Sequence, residues 1–305
     1  GIRMDIPLFF DTPTENAPFN QYAAQQGWSY KTNQKLKSTP MFSPRLGFRW
    51  KVGDTNKYIL RGGAGIFTGR ILFVWLSNNF SNTGIQLSTY NVSGSNIPGG
   101  MSLLLNPNGQ KPNIDLLSAS GSQTINVFDK DFKFAQNLRF NLGFDFELGT
   151  INWTAEGIYS KTLNDILYQN VAYDVNGATL GGTYPTLSFD QRPMFQRTTV
   201  GEPYSGIYAL SNTSKGYSFS MSMKGEKKFD FGLDLMASYT FTRSKSLNSG
   251  TSSVAQSNWA YNYTMGNSNA PELGNSAFNF PHRVNASIFY SKSYAKSLTT
   301  TVGLI

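Results

Sequence analysis

The chain has 305 residues, with one histidine, His282 beside Arg283, and no cysteine. A Ser/His/Asp triad or a histidine metal site would need that imidazole with partners at supporting spacing. No such motif surrounds it. His282 stands at the mouth of a strand, and a structural position is the plainer reading. Without cysteine there are no disulfides and no thiolate metal sites. The stretch Gly63-Ala-Gly65-Ile-Phe-Thr-Gly69 misses the dinucleotide fingerprint by one residue and continues a strand instead of opening a helix. Asp129-Lys-Asp131 and Asn164-Asp165 could offer oxygen ligands to calcium, although acidic pairs in loops are ordinarily just solvated; otherwise no cofactor or metal is expected. Asn91-Val-Ser93, Asn152-Trp-Thr154, Asn212-Thr-Ser214 and Asn262-Tyr-Thr264 fit the glycosylation sequon, which matters only in a eukaryotic secretory protein. Nothing here points to an enzyme.

More informative are the charges that alternate with apolar residues: Arg45, Arg49, Arg61, Arg139, Asp145, Glu147 and Glu156. From Asn137 to Leu148 the alternation is strict. Leu138, Phe140, Leu142, Phe144, Phe146 and Leu148 fall on one phase, and Arg139, Asn141, Gly143, Asp145 and Glu147 on the other. Period-2 alternation is a strand with one apolar face and one polar face. After Gly149-Thr150, Ile151, Trp153, Ala155, Gly157 and Tyr159 continue the pattern, which predicts a long antiparallel hairpin. Three further pairs read the same way. The first runs through Leu46, Phe48 and Trp50, then Tyr58, Leu60, Gly62 and Ala64. The second has Tyr217 to Met223, a turn near Phe229-Asp-Phe231, then Leu233 to Phe241. The third has Val284 to Tyr290, a turn near Ser293–Ala295, then Leu298 to Leu304. Gly62, Gly63 and Gly65 mark a bend or a close approach within their strand.

Between the pairs lie long segments near 68–135, 162–214 and 242–281, and residues 1–37 read as a loop region with a short helical turn near Tyr22 to Gly27. Short turns and long loops alternate along the chain, so every long loop falls at one end of an up-and-down sheet. That asymmetry, with strands of the ~9–11 residues a membrane requires, predicts a transmembrane β-barrel. Trp50, Tyr58, Trp153, Phe229, Phe231, Tyr290 and Tyr294 lie near the short turns, where an interfacial girdle would sit. The competing reading is a soluble β-sandwich with ordinary aromatic packing. The expected fold class is all-β: an antiparallel up-and-down transmembrane β-barrel, partial, with about eight strands of a larger barrel over 38–305.

Composition agrees with a β-rich surface. Aromatics make up 14% of the chain and charged residues only 14%, well under the roughly 25% of ordinary soluble domains. Mean hydropathy is nevertheless −0.32. The net charge of +8 is scattered, without the basic face a nucleic-acid binder needs, so no nucleic-acid partner is expected. No apolar run approaches the ~20 residues of a spanning helix; the best is Ile71–Leu76. Both ends fall mid-pattern, and the chain is expected to be an internal piece of a longer protein.

Several stretches resemble a known family. Ser43-Pro-Arg-Leu-Gly-Phe48 followed by Leu60-Arg-Gly-Gly-Ala-Gly-Ile-Phe67 is similar to the barrel of TonB-dependent outer-membrane receptors. Glu156-Gly-Ile-Tyr-Ser-Lys-Thr-Leu-Asn-Asp165, Asn212-Thr-Ser-Lys-Gly-Tyr-Ser-Phe219, Ala237-Ser-Tyr-Thr-Phe-Thr-Arg-Ser-Lys-Ser246, Gly250-Thr-Ser-Ser253 and Asn258-Trp259 resemble the Oar-like branch of Bacteroidota and myxobacteria. The resemblance spans most of residues 38 to 290. It implies the bacterial outer membrane, a barrel of about 22 strands, and transport of a large or scarce ligand. The implied partners are the TonB complex, reached through an N-terminal box that this sequence does not contain, and the protein's own plug domain. A surface lipoprotein and the lipid or LPS of the membrane are further partners. The alternatives are an adhesin or barrel scaffold for secretion or motility machinery, and a secreted carbohydrate-binding β-sandwich.

If the apolar phase meets lipid, Leu138, Phe140, Leu142, Phe144, Phe146 and Leu148 face outward. The charged residues then face a lumen, to contact a plug or a ligand. An arginine on the lipid face would cost about 2–4 kcal/mol at mid-depth, which makes the assignment close to forced. Substrate recognition would fall to the long loops.

Overall fold

The computed structural model describes residues 1–53, 57–69, 73–87, 123–173, 204–264, 267–295 and 298–305. Among these, twelve strands join one sheet. Its main path runs through β1 (Ile2–Asp5), β2 (Met41–Lys51), β3 (Tyr58–Thr68), β5 (Gln136–Leu148), β6 (Ile151–Asn170), β8 (Tyr217–Lys228), β9 (Leu233–Ser246), β11 (His282–Ala295) and β12 (Leu298–Leu304). The eight long strands expected from the alternation are all present, and every pairing on the path is antiparallel. The sheet is open, with β1 and β12 at its two ends. No helix among the described residues is long and apolar enough to cross a membrane.

Register carries the two-faced pattern from strand to strand. Trp50 pairs with Leu60, Leu60 with Phe144, Phe144 with Ala155, Ala155 with Met223, Met223 with Tyr239 and Tyr239 with Val284. One step toward the polar phase, Arg49 pairs with Arg61, Arg61 with Gly143, Gly143 with Glu156 and Glu156 with Ser222. A one-residue slip at any pair would mix the faces, so the sheet keeps one apolar face and one polar face across its width. Tight turns hold the register. At Leu148–Ile151 a two-residue turn is opened by Gly149 at φ 64°, a backbone conformation that glycine adopts without a Cβ penalty.

The long connections leave from the opposite end, and their described residues include regular elements. They carry α2 (Val74–Ser81), β4 (Gln123–Phe128), β7 (Tyr204–Thr213), α3 (Ala255–Ala260) and β10 (Gly274–Asn275). Strands β6 and β9 also run past 162 and 242, to Asn170 and Ser246. In residues 1–37, β1 is joined by α1 (Ala17–Gln25), longer than the expected turn. Asn16 caps α1 by accepting from the Phe19 backbone N–H (3.1 Å), and Pro18 sits in the first turn, where a missing N–H costs nothing. Strands β4 and β7 pair in parallel, Ile125 opposite Ile207 and Val127 opposite Ala209. The Asn91 sequon and the start of the Ile71–Leu76 run lie outside the described residues.

Burial is concentrated in this end. One cluster gathers Met41, Leu76, Phe128, Phe132, Ile166, Tyr168 and Leu210. Another gathers Phe19, Ala23, Ile125, Val127, Ile207 and Ala209. The wall, by contrast, exposes Leu46 at 78%, Trp50 at 60% and Val284 at 73%. The hydrophobic core therefore belongs to a cap made of loops, and the apolar phase of the sheet has no protein cover among the described residues.

Candidate functional site

The polar phase of the wall gathers most of the charged residues singled out above. Arg61 on β3 reaches along its own row. Its Nε donates to Asp145 Oδ2 on β5 (3.2 Å), and Nη1 donates to Glu156 Oε1 on β6 (2.9 Å). To reach β6 the guanidinium must cross β5, and it does so over Gly143. A Cβ built there would lie 2.8 Å from Arg61 Cζ. The glycine thus clears a path that any side chain would block. All three charged groups are about one-third exposed, so this is a solvated brace and not a sealed ion pair.

Nearer the cap, Phe67 sits between two arginines. The Arg45 guanidinium lies 4.5 Å from the ring centroid and that of Arg139 5.6 Å, within reach of cation–π attraction. Arg139 also donates from Nε to Ser160 Oγ (3.0 Å). Toward the tight turns, Glu147 accepts from Lys57 Nζ at 3.4 Å. Arg49, cross-strand from Arg61, stays exposed. The seven charged candidates thus separate into the Arg61–Asp145–Glu156 brace, the Arg45–Arg139 pair around Phe67, a peripheral Glu147 and a free-standing Arg49. Phe67 was missed from sequence because it reads as one more aromatic in a strand.

On the other phase, Phe140, Leu142 and Leu148 are exposed at 44%, 56% and 68%, while Leu138, Phe144 and Phe146 are half-buried by one another and by adjacent strands. Phe144 and Phe146 stack at 5.3 Å, and Tyr58 stacks on Phe144 at 6.3 Å. Trp50, Tyr58, Phe231, Tyr290 and Tyr294 remain exposed near the tight turns. The lone histidine also lies on this phase, its Nδ1 2.8 Å from Tyr239 Oη.

The cap packs on the polar side of the wall. Met41 and Ser43, which share the phase of Arg45, are buried, whereas Phe42 between them is 58% exposed. Buried asparagines tie the cap together. Asn170 and Asn269 bond reciprocally: the Asn170 N–H donates to Asn269 Oδ1 (2.7 Å), and Asn269 Nδ2 donates to the Asn170 carbonyl (2.9 Å). Trp259 Nε1 donates to the same Oδ1 (2.8 Å). Asn170 Oδ1 accepts in turn from the N–H of Ile207 (3.1 Å). Asn258 and Asn212 do likewise with Ser252 and Lys133. These amides substitute for ladder bonds where the backbone is irregular. Their sequence signal is faint, an Asn beside an aromatic or between two strands. Burial pushes the Asp165 carboxyl above its ordinary range despite a hydrogen bond from the Ile166 N–H. Of the calcium candidates, Asp131 pairs with Lys37, and no three His, Asp or Glu side chains cluster among the described residues.

Residues 8–300 match the family model described as outer membrane beta barrel domain. Among solved structures, the chain is similar to the outer membrane transporter YddB from Escherichia coli, with 13% identity over 83% of this chain and 27% of that one, at a TM-score of 0.43. It is also similar to the siderophore receptor PirA from Pseudomonas aeruginosa, with 10% identity over 90% and 40% of the two chains and a TM-score of 0.36. For PirA from Acinetobacter baumannii the figures are 14%, 90% and 37%, with a TM-score of 0.33. The chain therefore spans well under half the length of each. No curated protein matches it.

Proposed function

The chain belongs to the outer membrane beta barrel domain family, and from that premise we propose that it is part of the barrel wall of an Oar-like TonB-dependent transporter. In this reading the apolar phase faces lipid and the polar phase faces a lumen. The tight turns point to the periplasm and the cap to the cell exterior, as is general for such barrels. The observation that carries the reading is the position of the charges. Arg45, Arg49, Arg61, Arg139, Asp145 and Glu156 share one side of the sheet, and the cap closes over that same side. A folded cap packed on the charged side of the wall suits a gated transporter with an internal plug better than a general pore. Exposed Arg49 and the one-third-exposed brace would then dock the plug, and the cap would meet the ligand. The motif stretches quoted above add the TonB-dependent character. No bond-making step is assigned to any residue.

The test uses the full-length protein in its native outer membrane. It should co-purify with the C-terminal domain of TonB, and deleting the segment ahead of its plug should abolish that capture. A full-length protein with no plug and no TonB capture would sink the transport reading. An adhesin or scaffold would then be the better account, a reading favoured by the fully exposed Tyr263 and the 81% exposed Tyr261 on the cap.

A further inference from the structure

The connection between β9 and β11 is electrically silent. From Leu247 to Pro271 it contains no Asp, Glu, Lys, Arg or His, in a chain whose net charge is +8. A pocket of about 280 Å³ opens within this connection. Ser249 and Thr251 line it ahead of α3, Ser257 lines it from α3, Asn262 from just after α3, and Asn275 from β10. Tyr261 and Tyr263 line it as well, although both rings stand in solvent. Every lining residue is uncharged, and all but Ala277 carry a hydroxyl or an amide.

The loop around the pocket is held by its own amides. Asn258 is buried; its Oδ1 accepts from the Ser252 N–H (3.0 Å) and its Nδ2 donates to the Ser252 carbonyl (2.7 Å). Asn248 Nδ2 donates to the Asn258 carbonyl (2.8 Å), and Asn248 Oδ1 accepts from the Gly250 N–H (2.6 Å). Asn262 Nδ2 donates to the Leu247 carbonyl (2.8 Å). From α2, Trp75 Nε1 donates to the Ser252 carbonyl (3.0 Å) and ties the loop to the rest of the cap. These bonds set the pocket's shape in advance, which lowers the ordering cost of binding. Other lining groups are left unused. Ser249, Thr251, Ser257 and Asn275 make no side-chain hydrogen bond among the described residues, and Asn262 keeps its Oδ1. Hydroxyls both donate and accept, so the unused set can answer a ligand that does the same.

We propose that this pocket is a recognition site for a neutral saccharide, with a sugar ring against Tyr261 and Tyr263 and its hydroxyls on Thr251, Ser257 and Asn262. An anionic ligand would need cations in the lining and a cationic one would need acids; the pocket has neither. An apolar ligand would leave the unused hydroxyls unpaired at a cost. An extended peptide docks along a strand edge, whereas this pocket lies among a loop, α3 and β10. A neutral sugar offers what the lining matches: an apolar C–H face for an exposed ring and hydroxyls for neutral donors and acceptors. The site goes beyond the transport reading and rests only on that reading's placement of the cap at the cell exterior, so it serves an adhesin equally.

The test presents the full-length protein in detergent micelles to an array of neutral gluco-, manno-, galacto- and xylo-oligosaccharides, with polygalacturonate, chitosan and an uncharged Ser/Asn/Gly peptide beside them. At least one neutral glycan should bind, and binding should survive about 0.5 M salt because no ion pair is involved. Tyr261→Ala and Tyr263→Ala should each weaken it about tenfold, the upper range for an aromatic contact, while Tyr263→Phe should retain most of it. Thr251→Val keeps the shape, removes a hydroxyl and should weaken binding about fivefold. These side chains are exposed, so all four variants should keep heat-modifiable migration. Failure of every neutral glycan to bind would overturn the site. So would equal affinity in the tyrosine variants, equal binding of polygalacturonate or chitosan, or binding of the peptide alone. Intact cells should bind the same glycan. Binding seen only after lysis would overturn the outward placement of the cap and leave the pocket's chemistry standing, and loss of TonB capture with glycan binding intact would remove transport alone.

Discussion

Arg61 shows what a single residue does in this wall. Its guanidinium reaches two carboxylates on two other strands only because Gly143 leaves the space between them empty. Replacing Gly143 with Val should displace the guanidinium and cost about 1 kcal/mol, the upper range for a solvated pair. On a Glu156→Gln background the same change should cost less, because the contact it breaks is already lost. A double-mutant cycle by denaturant unfolding measures that difference, and full additivity would remove Gly143 from this role. Asn269 works in the same manner inside the cap, where its side-chain amide is shared by Asn170 and Trp259. Asn269→Ala leaves buried donors unpaired, at about 1–3 kcal/mol. It should speed proteolysis within the cap while heat-modifiable migration of the wall stays normal; a cap as resistant as wild type would argue that Asn269 is not a staple.

The element that organises the wall is the hairpin. β5 and β6 put Phe140, Phe144 and Phe146 on one phase and Arg139, Asp145 and Glu147 on the other, and their neighbours repeat the division. Phe144→Asp places a charge within the apolar band, where the cost near mid-depth is of the order of kcal/mol. It should block assembly, seen as loss of the heat-modifiable folded band in outer-membrane fractions, and normal assembly would count against a lipid-facing phase. Hairpins of this type are legible in sequence because each is local: period two, a turn signal, period two again. Strands β4 and β7 are not. Their pairing joins Ile125 to Ile207 across a long stretch of chain, with no turn between them to announce it. Ser/Asn-rich flanks hid both in what read as loop.

At the scale of the whole molecule, the chain divides into a wall that buries little and a cap that buries much. An ordinary soluble domain would bury the apolar face of its sheet. Here the buried side chains gather around α1, α2, α3, β4 and β7, and the sheet shows its apolar phase to the outside. The family assignment places the chain in the outer membrane, and in the proposed reading its lipid is the solvent that makes such a face tolerable. Charge follows the same division. Acids lie on the capped phase, and the few outward charges of β6, β8 and β9 are basic.

The sequence by itself determined the eight wall strands, the division of their residues into two phases, and the gathering of long connections at one end. All of these follow from period-two alternation and turn chemistry between residues close in the chain. Tertiary structure alone decided that Arg61 braces Asp145 and Glu156, that Phe67 lies between Arg45 and Arg139, and that buried asparagines staple the cap. It also decided that Gly157, unlike Gly62 and Gly225, has no neighbouring side chain within 4 Å of where a Cβ would sit. Each of those depends on cross-strand register or on contacts between distant segments, and pairing at a distance leaves no periodic mark on the chain.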